Sequence, residues 1–293
     1  MGSSAGLIRR AKRAVRRAGL LSPTARPVVD RLAAYRADPA QIMVDAGFQP
    51  DPWQAAFLRS DDRFNLILCG RQIGKSLTVS ILALHTALTI PGSTVVIVAP
   101  IEPQANELLR KVSRTFNAIG RPMGVKREAV TTLEFVNESR VIALPGKERS
   151  VHSYTASLLL VDEAARVPDE VYHGASPQLS ASGGRLVALS TAFTKSGWFY
   201  KEWADGTGFR RWSITARECP RHTAEFLDRE RRSMGDRWFN MAYLNEFGDD
   251  VAAVFATDDI KAMLSPDVQP LFALPDAAGG LASDVSPLFA TTP

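Results

Sequence analysis

One segment, between residues 64 and 76, restricts the fold of this chain more than any other. It reads Phe64-Asn-Leu-Ile-Leu-Cys-Gly-Arg-Gln-Ile-Gly-Lys-Ser76, so an apolar strand leads into a glycine-containing loop and a helical pattern follows. Strand, loop and helix in this order are the context of a phosphate-binding loop. Backbone N–H groups at the helix start bind an anion, and Gly74 lets the backbone approach it closely. Lys75 can reach the terminal phosphates and Ser76 can ligate Mg²⁺, so the segment predicts a nucleotide site.

The loop departs from the usual pattern G-x-x-x-x-G-K-[ST] at one position. Cys69 stands where the leading glycine is expected, and Gly70 follows one place later. Arg71, Gln72 and Ile73 complete the predicted nucleotide-binding loop. The pattern alone leaves open a chance Gly-Lys-Ser in an ordinary loop.

A second apolar run ends in two carboxylates. Residues 157–164 read Ser-Leu-Leu-Leu-Val-Asp-Glu-Ala, as in a central strand that delivers acids to the sheet edge where ligands bind. Asp162 is the candidate Mg²⁺ ligand on the Ser76 side, and Glu163 is the candidate general base that orients and deprotonates water. The alternative is a strand that ends in a solvated acidic turn. Because the same chain contains a candidate phosphate loop, a solvated acidic turn explains these two acids less well than a nucleotide site does.

A short motif, Asp51-Pro52-Trp53-Gln54, precedes the loop. The Gln54 amide offers a donor and an acceptor that match the adenine edge, and Trp53 offers a packing or stacking face. A capped helix start, with Asp51 as the cap and Pro52 in the first turn, explains the same residues. Both interpretations stay open.

A third apolar run, residues 186–192, ends in the hydroxyls of Ser190 and Thr191 followed by Ala192. In a parallel sheet this end lies beside the phosphate edge, so the hydroxyls could sense the γ-phosphate and transmit its presence. An ordinary Ser-Thr turn at a strand end is an equally good explanation.

The overall pattern predicts an α/β fold. From about residue 50, short β-branched runs alternate with longer helical patterns, which indicates a mainly parallel sheet with crossover helices. The predicted strands are Phe64–Cys69, Thr94–Ala99, Thr132–Val136, Val141–Leu144, Ser157–Val161 and Leu186–Ser190. The predicted helices are Lys75–Thr89, Glu102–Ile119, Thr223–Met234 and Arg237–Phe247.

Charge and cysteine content limit the classes of protein. Residues 1–36 hold nine Lys/Arg and one acid, whereas residues 248–293 hold seven Asp and one Lys. The six cations between Arg9 and Arg17 predict a phosphate-binding arm or a solvated tail. Two cysteines and four histidines without ligand spacing favour a reducing compartment. No apolar stretch approaches the roughly 20 residues of a membrane-spanning helix, so we expect no membrane partner.

Four ordered pieces of the sequence resemble the ATPase half of the large terminase subunit of tailed bacteriophages, the motor that packages DNA into preformed capsids. They are Pro52-Trp53-Gln54, residues 70–76, residues 158–165 and Ser190-Thr-Ala192. The Arg-Gln pair inside the loop is informative, because this family commonly carries a basic residue there and lacks the leading glycine. Residues 238–247 also resemble the aromatic, acidic end of that region, so the resemblance covers roughly residues 48–265.

The resemblance implies an α/β fold of the RecA-like (ASCE) P-loop ATPase type, with ATP and Mg²⁺ as cofactors. Lys75 and Ser76 would bind phosphate and metal, Asp162 would bind the metal, and Glu163 would act on water. Arg71 would lie near the γ-phosphate, where it could stabilise transition-state charge in cis. A salt bridge to a nearby carboxylate is the alternative for Arg71.

The resemblance also implies a division of the chain into four parts. They are a basic arm and helical lead-in (1–47), the ATPase core (48–193), a small helical or mixed lid or linker subdomain (194–248), and an acidic linker with the possible start of a nuclease domain (249–293).

Other expected roles concern coupling and neighbouring subunits. Ser190, Thr191 and Ala192 would form the motif that couples hydrolysis to movement against DNA. Many members of the family show an Arg-Gly pair just before the acidic strand that acts on a neighbouring subunit. Here His152-Ser153 stand at that place with Arg149 nearby, so the sequence does not identify an arginine finger.

The activity implied by the resemblance is ATP-driven translocation of viral double-stranded DNA into a procapsid. The implied partners are the DNA, the portal protein, the small terminase subunit and further copies of this chain in a ring. The implied location is the cytoplasm of the bacterial host and, transiently, the procapsid portal. The alternatives are another nucleic-acid-dependent ATPase or helicase, or a fragment that binds ATP or DNA without turnover.

Large terminase subunits continue into an RNase H-like nuclease domain whose carboxylates hold two metals. Here Asp284 is a candidate for the first of these acids, close to the last residue given, Pro293. We therefore expect the nuclease domain to be missing and this chain to show no nuclease activity.

Overall fold

A computed structural model describes residues 25–146 and 154–249. The helices in these ranges are α1 (Ala25–Ala37), α2 (Gln41–Asp45), α3 (Pro52–Arg59), α4 (Lys75–Thr89), α5 (Glu102–Ala118), α6 (Asp169–Ser182), α7 (Gly197–Ala204), α8 (Ala224–Met234) and α9 (Asp236–Tyr243). The strands are β1 (Phe64–Cys69), β2 (Thr94–Ala99), β3 (Val125–Ala129), β4 (Thr132–Phe135), β5 (Arg140–Pro145), β6 (Leu158–Asp162), β7 (Arg185–Ser190) and β8 (Arg210–Ile214). Short 3₁₀ turns lie at Ala164–Arg166 and Ala216–Glu218.

These strands form one sheet in the order β3-β4-β5-β2-β6-β7-β1-β8. Of the strand pairs in the described ranges, only β3–β4 and β4–β5 are antiparallel, which confirms the predicted mainly parallel α/β fold. In the register, Leu189 of β7 lies between Ile67 of β1 and Asp162 of β6. The carboxyl ends of the three strands therefore meet at one edge, where ligands of open parallel sheets bind.

Both faces of the sheet are covered, as near-continuous apolar strands require. Along β1, Ile67 and Cys69 contribute to one buried cluster together with α4 and α5. Leu66 and Leu68 point to the other face and join the cluster that includes side chains of α6 and α7. The five residues of β6 are all buried. This packing fixes the strand ends that carry the candidate site.

The predicted strands and the helix α4 lie where the sequence pattern puts them, within one residue at each end. Two edge strands, β3 and β8, were not predicted, because their sequences are rich in charge and lack an apolar alternation. The sequence pattern also missed helices α6 and α7. The prediction of a helix to Phe247 was wrong: α9 ends at Tyr243, and Asn245 adopts a left-handed backbone with φ 63°.

The described residues before residue 48, from Ala25 onward, pack into the same core as α4. Tyr35, Ile42 and Met43 are buried in the cluster on the α4 side of the sheet. The described residues all belong to one compact unit, and the domain limits given above stay predictions. The basic residues Arg9 to Arg17, Arg149 with His152-Ser153, and Asp284 lie outside the described residues. Among the described helices, none combines the length and the apolar character that crossing a membrane needs.

Arg185, at the start of β7, is a half-buried cation with few partners. Its Nε and Nη2 atoms are buried without a hydrogen bond to any described residue, and its guanidinium lies 5.5 Å from the centre of the Phe57 ring. Burial lowers the pKa of this guanidinium below its usual value. The charges of Asp61 and Asp62 oppose this effect only in part. Because partial burial of a charge without hydrogen-bond partners for Nε and Nη2 costs free energy, we expect Arg185→Met to keep the free energy of unfolding or raise it by about 1 kcal/mol.

Urea denaturation tests this expectation. The matched control is Arg59→Met, which removes a bidentate surface pair with Asp38 and should lower stability slightly. A loss of more than about 2 kcal/mol in Arg185→Met would contradict the expectation, since it would mean that the guanidinium stabilises the fold.

Candidate functional site

The loop between β1 and α4 has the geometry of an anion-binding turn. Gly74, the residue before α4, has φ 92°, and no side chain in the described part of the protein caps the start of this helix. The first N–H groups of α4 are therefore left for an anion. A Cβ at Gly74 would lie 2.7 Å from the Gln54 Nε2 atom, so both the backbone angle and the space require glycine. Gln72 also has a left-handed backbone, with φ 59°.

The displaced glycine, Gly70, has a structural explanation. Its N–H donates to the carbonyl of Ile214 at the end of β8, and the N–H of Arg71 donates to the carbonyl of Ala242 in α9. A Cβ at Gly70 would lie 3.0 Å from backbone atoms of Ala216 and of Tyr243. Gly70 therefore lets residues of the 194–248 segment approach the loop. The two N–H groups are used in this contact, so any contribution of Arg71 to a ligand comes from its side chain.

Cys69, which stands in place of the usual leading glycine, is fully buried and free of a disulfide. Burial raises the pKa of its thiol to about 12, so the thiol is protonated and unreactive at neutral pH. Cys219 is also buried. We expect neither cysteine of the native protein to react with a thiol reagent such as Ellman's reagent, and both to react after unfolding in urea. A thiol that reacts within minutes in the native protein would contradict this.

Gln54 is buried at the start of α3 and both ends of its amide are used. Its Oε1 accepts from the N–H of Asp51 at 2.8 Å, and its Nε2 donates to the Thr78 hydroxyl at 2.9 Å. Asp51 and Gln54 form a reciprocal capping box with Pro52 in the first turn, which confirms the capped helix start. Trp53 packs against the core. Contacts of Gln54 and Trp53 with adenine stay predictions.

Arg221 ties the 194–248 segment to the same corner. Its guanidinium makes a bidentate pair with the buried carboxylate of Asp51, at 2.9 and 2.8 Å, and donates to the carbonyl of Ile73 at 3.3 Å. One side chain therefore contacts the cap of α3 and the phosphate loop.

The two acids that end β6 face the loop across the sheet edge. Glu163 Oε1 accepts from Lys75 Nζ at 2.7 Å, and Glu163 Oε2 accepts from Arg166 Nη1 at 2.8 Å. Glu163 has a left-handed backbone, with φ 51°, and its N–H donates to Asp162 Oδ1. A non-glycine residue in this conformation stores strain, which is common at functional sites.

Asp162, the last residue of β6, is the candidate cation ligand and is buried. Burial raises the pKa of its carboxyl, and nearby Lys75 opposes that change. A buried carboxylate is stabilised by a bound cation. That the Ser76 hydroxyl at the start of α4 supplies a second oxygen to the same ion stays a prediction. In the described ranges no group of three or more His, Cys, Asp and Glu could hold a metal alone. An ion held by Asp162 and Ser76 would take most of its ligands from water and phosphate, as Mg²⁺ does.

A cavity of about 440 Å³ lies between the loop and the acidic edge. It is lined by Arg71, Gln72, Lys75, Gln104, Glu163, Arg166 and Thr191. Three of these side chains are cations and one is a carboxylate. Among the described residues, no side chain makes a hydrogen bond or an ion pair with Arg71. The cavity is thus suited to a ligand with several negative charges.

The hydroxyls that end β7 contact the turn after Glu163. Ser190 Oγ accepts from the N–H of Ala165 at 3.3 Å, and Thr191 Oγ1 lies 3.5 Å from Arg166 Nη1. Ala192 follows as a buried residue. Of these three residues Thr191 lines the cavity, and the role of all three in coupling stays a prediction.

Three residues of the site were missed by the sequence analysis: Arg166, Gln104 and Arg221. Arg166 could have been suspected, because it lies three residues after Glu163 and a helical turn brings such positions together. Gln104 lies in the first turn of α5, the helix that follows β2, and carries no motif. The pair between Arg221 and Asp51 joins positions 170 residues apart, so no local pattern signals it.

Comparison with known families and structures adds independent findings. The model of the family "Terminase large subunit, T4likevirus-type, N-terminal" matches residues 66–262. Among curated proteins, the terminase large subunits of Thermus phage G20c and Thermus virus P23-45 are 29% and 26% identical over 182 and 178 residues. Each match covers 53% of this chain and 36% of the relative, so the chain spans about a third of the length of these relatives.

Solved structures share the fold. The large terminase ATPase domain of Thermus phage P74-26 has a TM-score of 0.62 at 22% identity, covering 72% of this chain and 99% of that chain. The large terminase of another thermophilic bacteriophage, solved in complex with ADP, has a TM-score of 0.55 at 16% identity, covering 72% of this chain and 53% of that chain.

Proposed function

Because this chain belongs to the terminase large subunit family of the T4likevirus type, we propose that it hydrolyses ATP to move viral double-stranded DNA into a procapsid. The observation that carries the proposal is the 2.7 Å contact of Lys75 Nζ with Glu163 Oε1 inside the cationic cavity. A phosphate-binding lysine and a candidate base at the same sheet edge are the parts that phosphoryl transfer to water needs.

The side chains of the cavity have different proposed roles in the reaction. Lys75 and Arg71 bind the negative phosphate oxygens, and the free N–H groups at the start of α4 bind them from the backbone. Ser76 and Asp162 would hold Mg²⁺, which neutralises phosphate charge when bound. Lys75 exchanges its contact with Glu163 for a phosphate oxygen. Glu163 Oε1 is then free to accept a proton from the attacking water.

The proposal extends to partners by family membership. It includes double-stranded DNA as the cargo, a ring of copies of this chain, and contacts with the portal protein and the small terminase subunit. The proposed location is the host cytoplasm and, transiently, the procapsid portal.

Steady-state ATP hydrolysis with and without duplex DNA tests the proposed function. We expect Mg²⁺-dependent turnover that rises when duplex DNA is added and that EDTA abolishes. Turnover no higher than that of Lys75→Ala under both conditions would refute the enzymatic part. Equal stimulation by single-stranded and duplex DNA would instead favour another nucleic-acid-dependent ATPase.

A further inference from the structure

Arg166 is the only residue besides Lys75 that, within the described ranges, makes an ion pair with Glu163. It closes the 3₁₀ turn Ala164–Arg166, in which its own N–H donates to the carbonyl of Glu163 at 2.8 Å. The turn folds the side chain back, so that Arg166 Nη1 reaches Glu163 Oε2 at 2.8 Å. Arg166 therefore contacts Glu163 through both its backbone and its side chain.

The other face of the Arg166 guanidinium contacts the chain after β7. It lies 4.4 Å from the centre of the Phe193 ring, and Nη1 lies 3.5 Å from Thr191 Oγ1. An arginine can pair with a carboxylate in its plane and stack on an aromatic ring at the same time, which lysine cannot do equally well.

Phe193 is in turn held by the last described part of the chain. Its carbonyl accepts from the N–H of Gly248 at 2.8 Å, and the N–H of Lys195 donates to the carbonyl of Gly248 at 2.9 Å. Thr194 and Gly248 form an isolated parallel bridge. The contacts of Arg166 thus extend from the acidic edge, through Phe193, to Gly248.

Lys75 and Arg166, the two cations that pair with Glu163, would respond differently to a bound phosphate. Lys75 belongs to the phosphate loop and leaves Glu163 when it binds phosphate, whereas Arg166 lies in a turn fixed to Glu163 itself. We propose that Arg166 is a positioning residue that keeps Glu163 oriented toward water after Lys75 has moved, and that joins Glu163 mechanically to Phe193. This inference rests on the proposed ATPase function and names a residue that governs it.

Steady-state kinetics of Arg166→Met, with Arg166→Lys and the surface control Arg114→Met, test the proposal. We expect Arg166→Met to lower kcat about tenfold to a hundredfold, because misplacing a reacting group by about 1 Å can cost about a hundredfold. KM for ATP should change less than about twofold. Arg166→Lys should recover part of the loss, and Arg114→Met should behave as the wild type. A wild-type kcat in Arg166→Met would overturn the proposal.

A double-mutant cycle on protein stability tests the contact between Arg166 and Phe193 without measuring ATP turnover. Arg166→Met, Phe193→Leu and the double variant are compared by urea denaturation. If the stacking joins the two residues, the loss of stability in the double variant is smaller than the sum of the two single losses. Additive losses would mean that Arg166 and Phe193 do not interact, and would overturn the proposal that Arg166 joins Glu163 to Phe193. If the wild type fails to hydrolyse ATP, the proposed function fails, and this cycle still tests the contact.

Discussion

Glu163→Gln is expected to lower kcat for ATP hydrolysis about 10²- to 10⁴-fold, which is the contribution of a well-placed general base. The amide keeps the shape of the side chain but cannot accept a proton from water. It also weakens the ion pair that holds Lys75 at 2.7 Å, so Lys75 becomes free to bind phosphate. We therefore expect the affinity for a slowly hydrolysed ATP analogue to be unchanged or higher.

Comparing Lys75→Ala with Glu163→Gln separates nucleotide binding from the chemical step. Lys75→Ala removes the cation that reaches the phosphates, so both the affinity for the analogue and kcat should fall. Glu107→Gln, an exposed glutamate of α5 that pairs with Arg110, is the matched control for Glu163→Gln and should leave both quantities unchanged. Rates are measured as phosphate release, and affinities by calorimetry. A wild-type kcat in Glu163→Gln would exclude this glutamate as the base.

Gln54→Ala is expected to lower the free energy of unfolding by about 3 kcal/mol. The substitution leaves a cavity at a side chain that is 1% exposed. It also removes the acceptor of the Asp51 N–H and the donor to the Thr78 hydroxyl, both in a buried corner. Gln41→Ala, in which the lost hydrogen bond is exposed, is the control and should cost much less.

The same variant tests the adenine contact that the sequence left open. If Gln54 serves only the capping box, the ratio of ATP affinity to GTP affinity stays at the wild-type value in Gln54→Ala, measured where the variant is folded. A fall of about tenfold in this ratio is what a lost bidentate contact with adenine produces. Unchanged stability together with a lower ratio would contradict the structural interpretation.

The sequence predicts those parts of the structure that depend on local pattern. Strand β1 and helix α4 have the predicted bounds, because a continuous apolar run and a buried helix each leave a clear signal. The approach of Lys75 to Glu163 follows from the parallel order of β1, β7 and β6, which makes their carboxyl ends neighbours.

Other parts depend on contacts between distant segments. Strand β8 joins the sheet through pairing with β1, although its charged residues resemble a loop. The burial of Gln54 against Thr78 is set by the packing of α3 on α4, and the two interpretations of Gln54 could not be separated without it. The stack of Arg166 on Phe193 likewise depends on where β7 ends.

The position of Gly70 has a mechanical consequence. Two backbone hydrogen bonds, from Gly70 to Ile214 and from Arg71 to Ala242, join the phosphate loop directly to β8 and α9. Backbone hydrogen bonds are short and directional, so they transmit displacement with little slack. A pulling force on the 194–248 segment would therefore reach the loop backbone without passing through a flexible side chain. In the opposite direction, a shift of the loop backbone would reach β8 and α9 through the same two bonds.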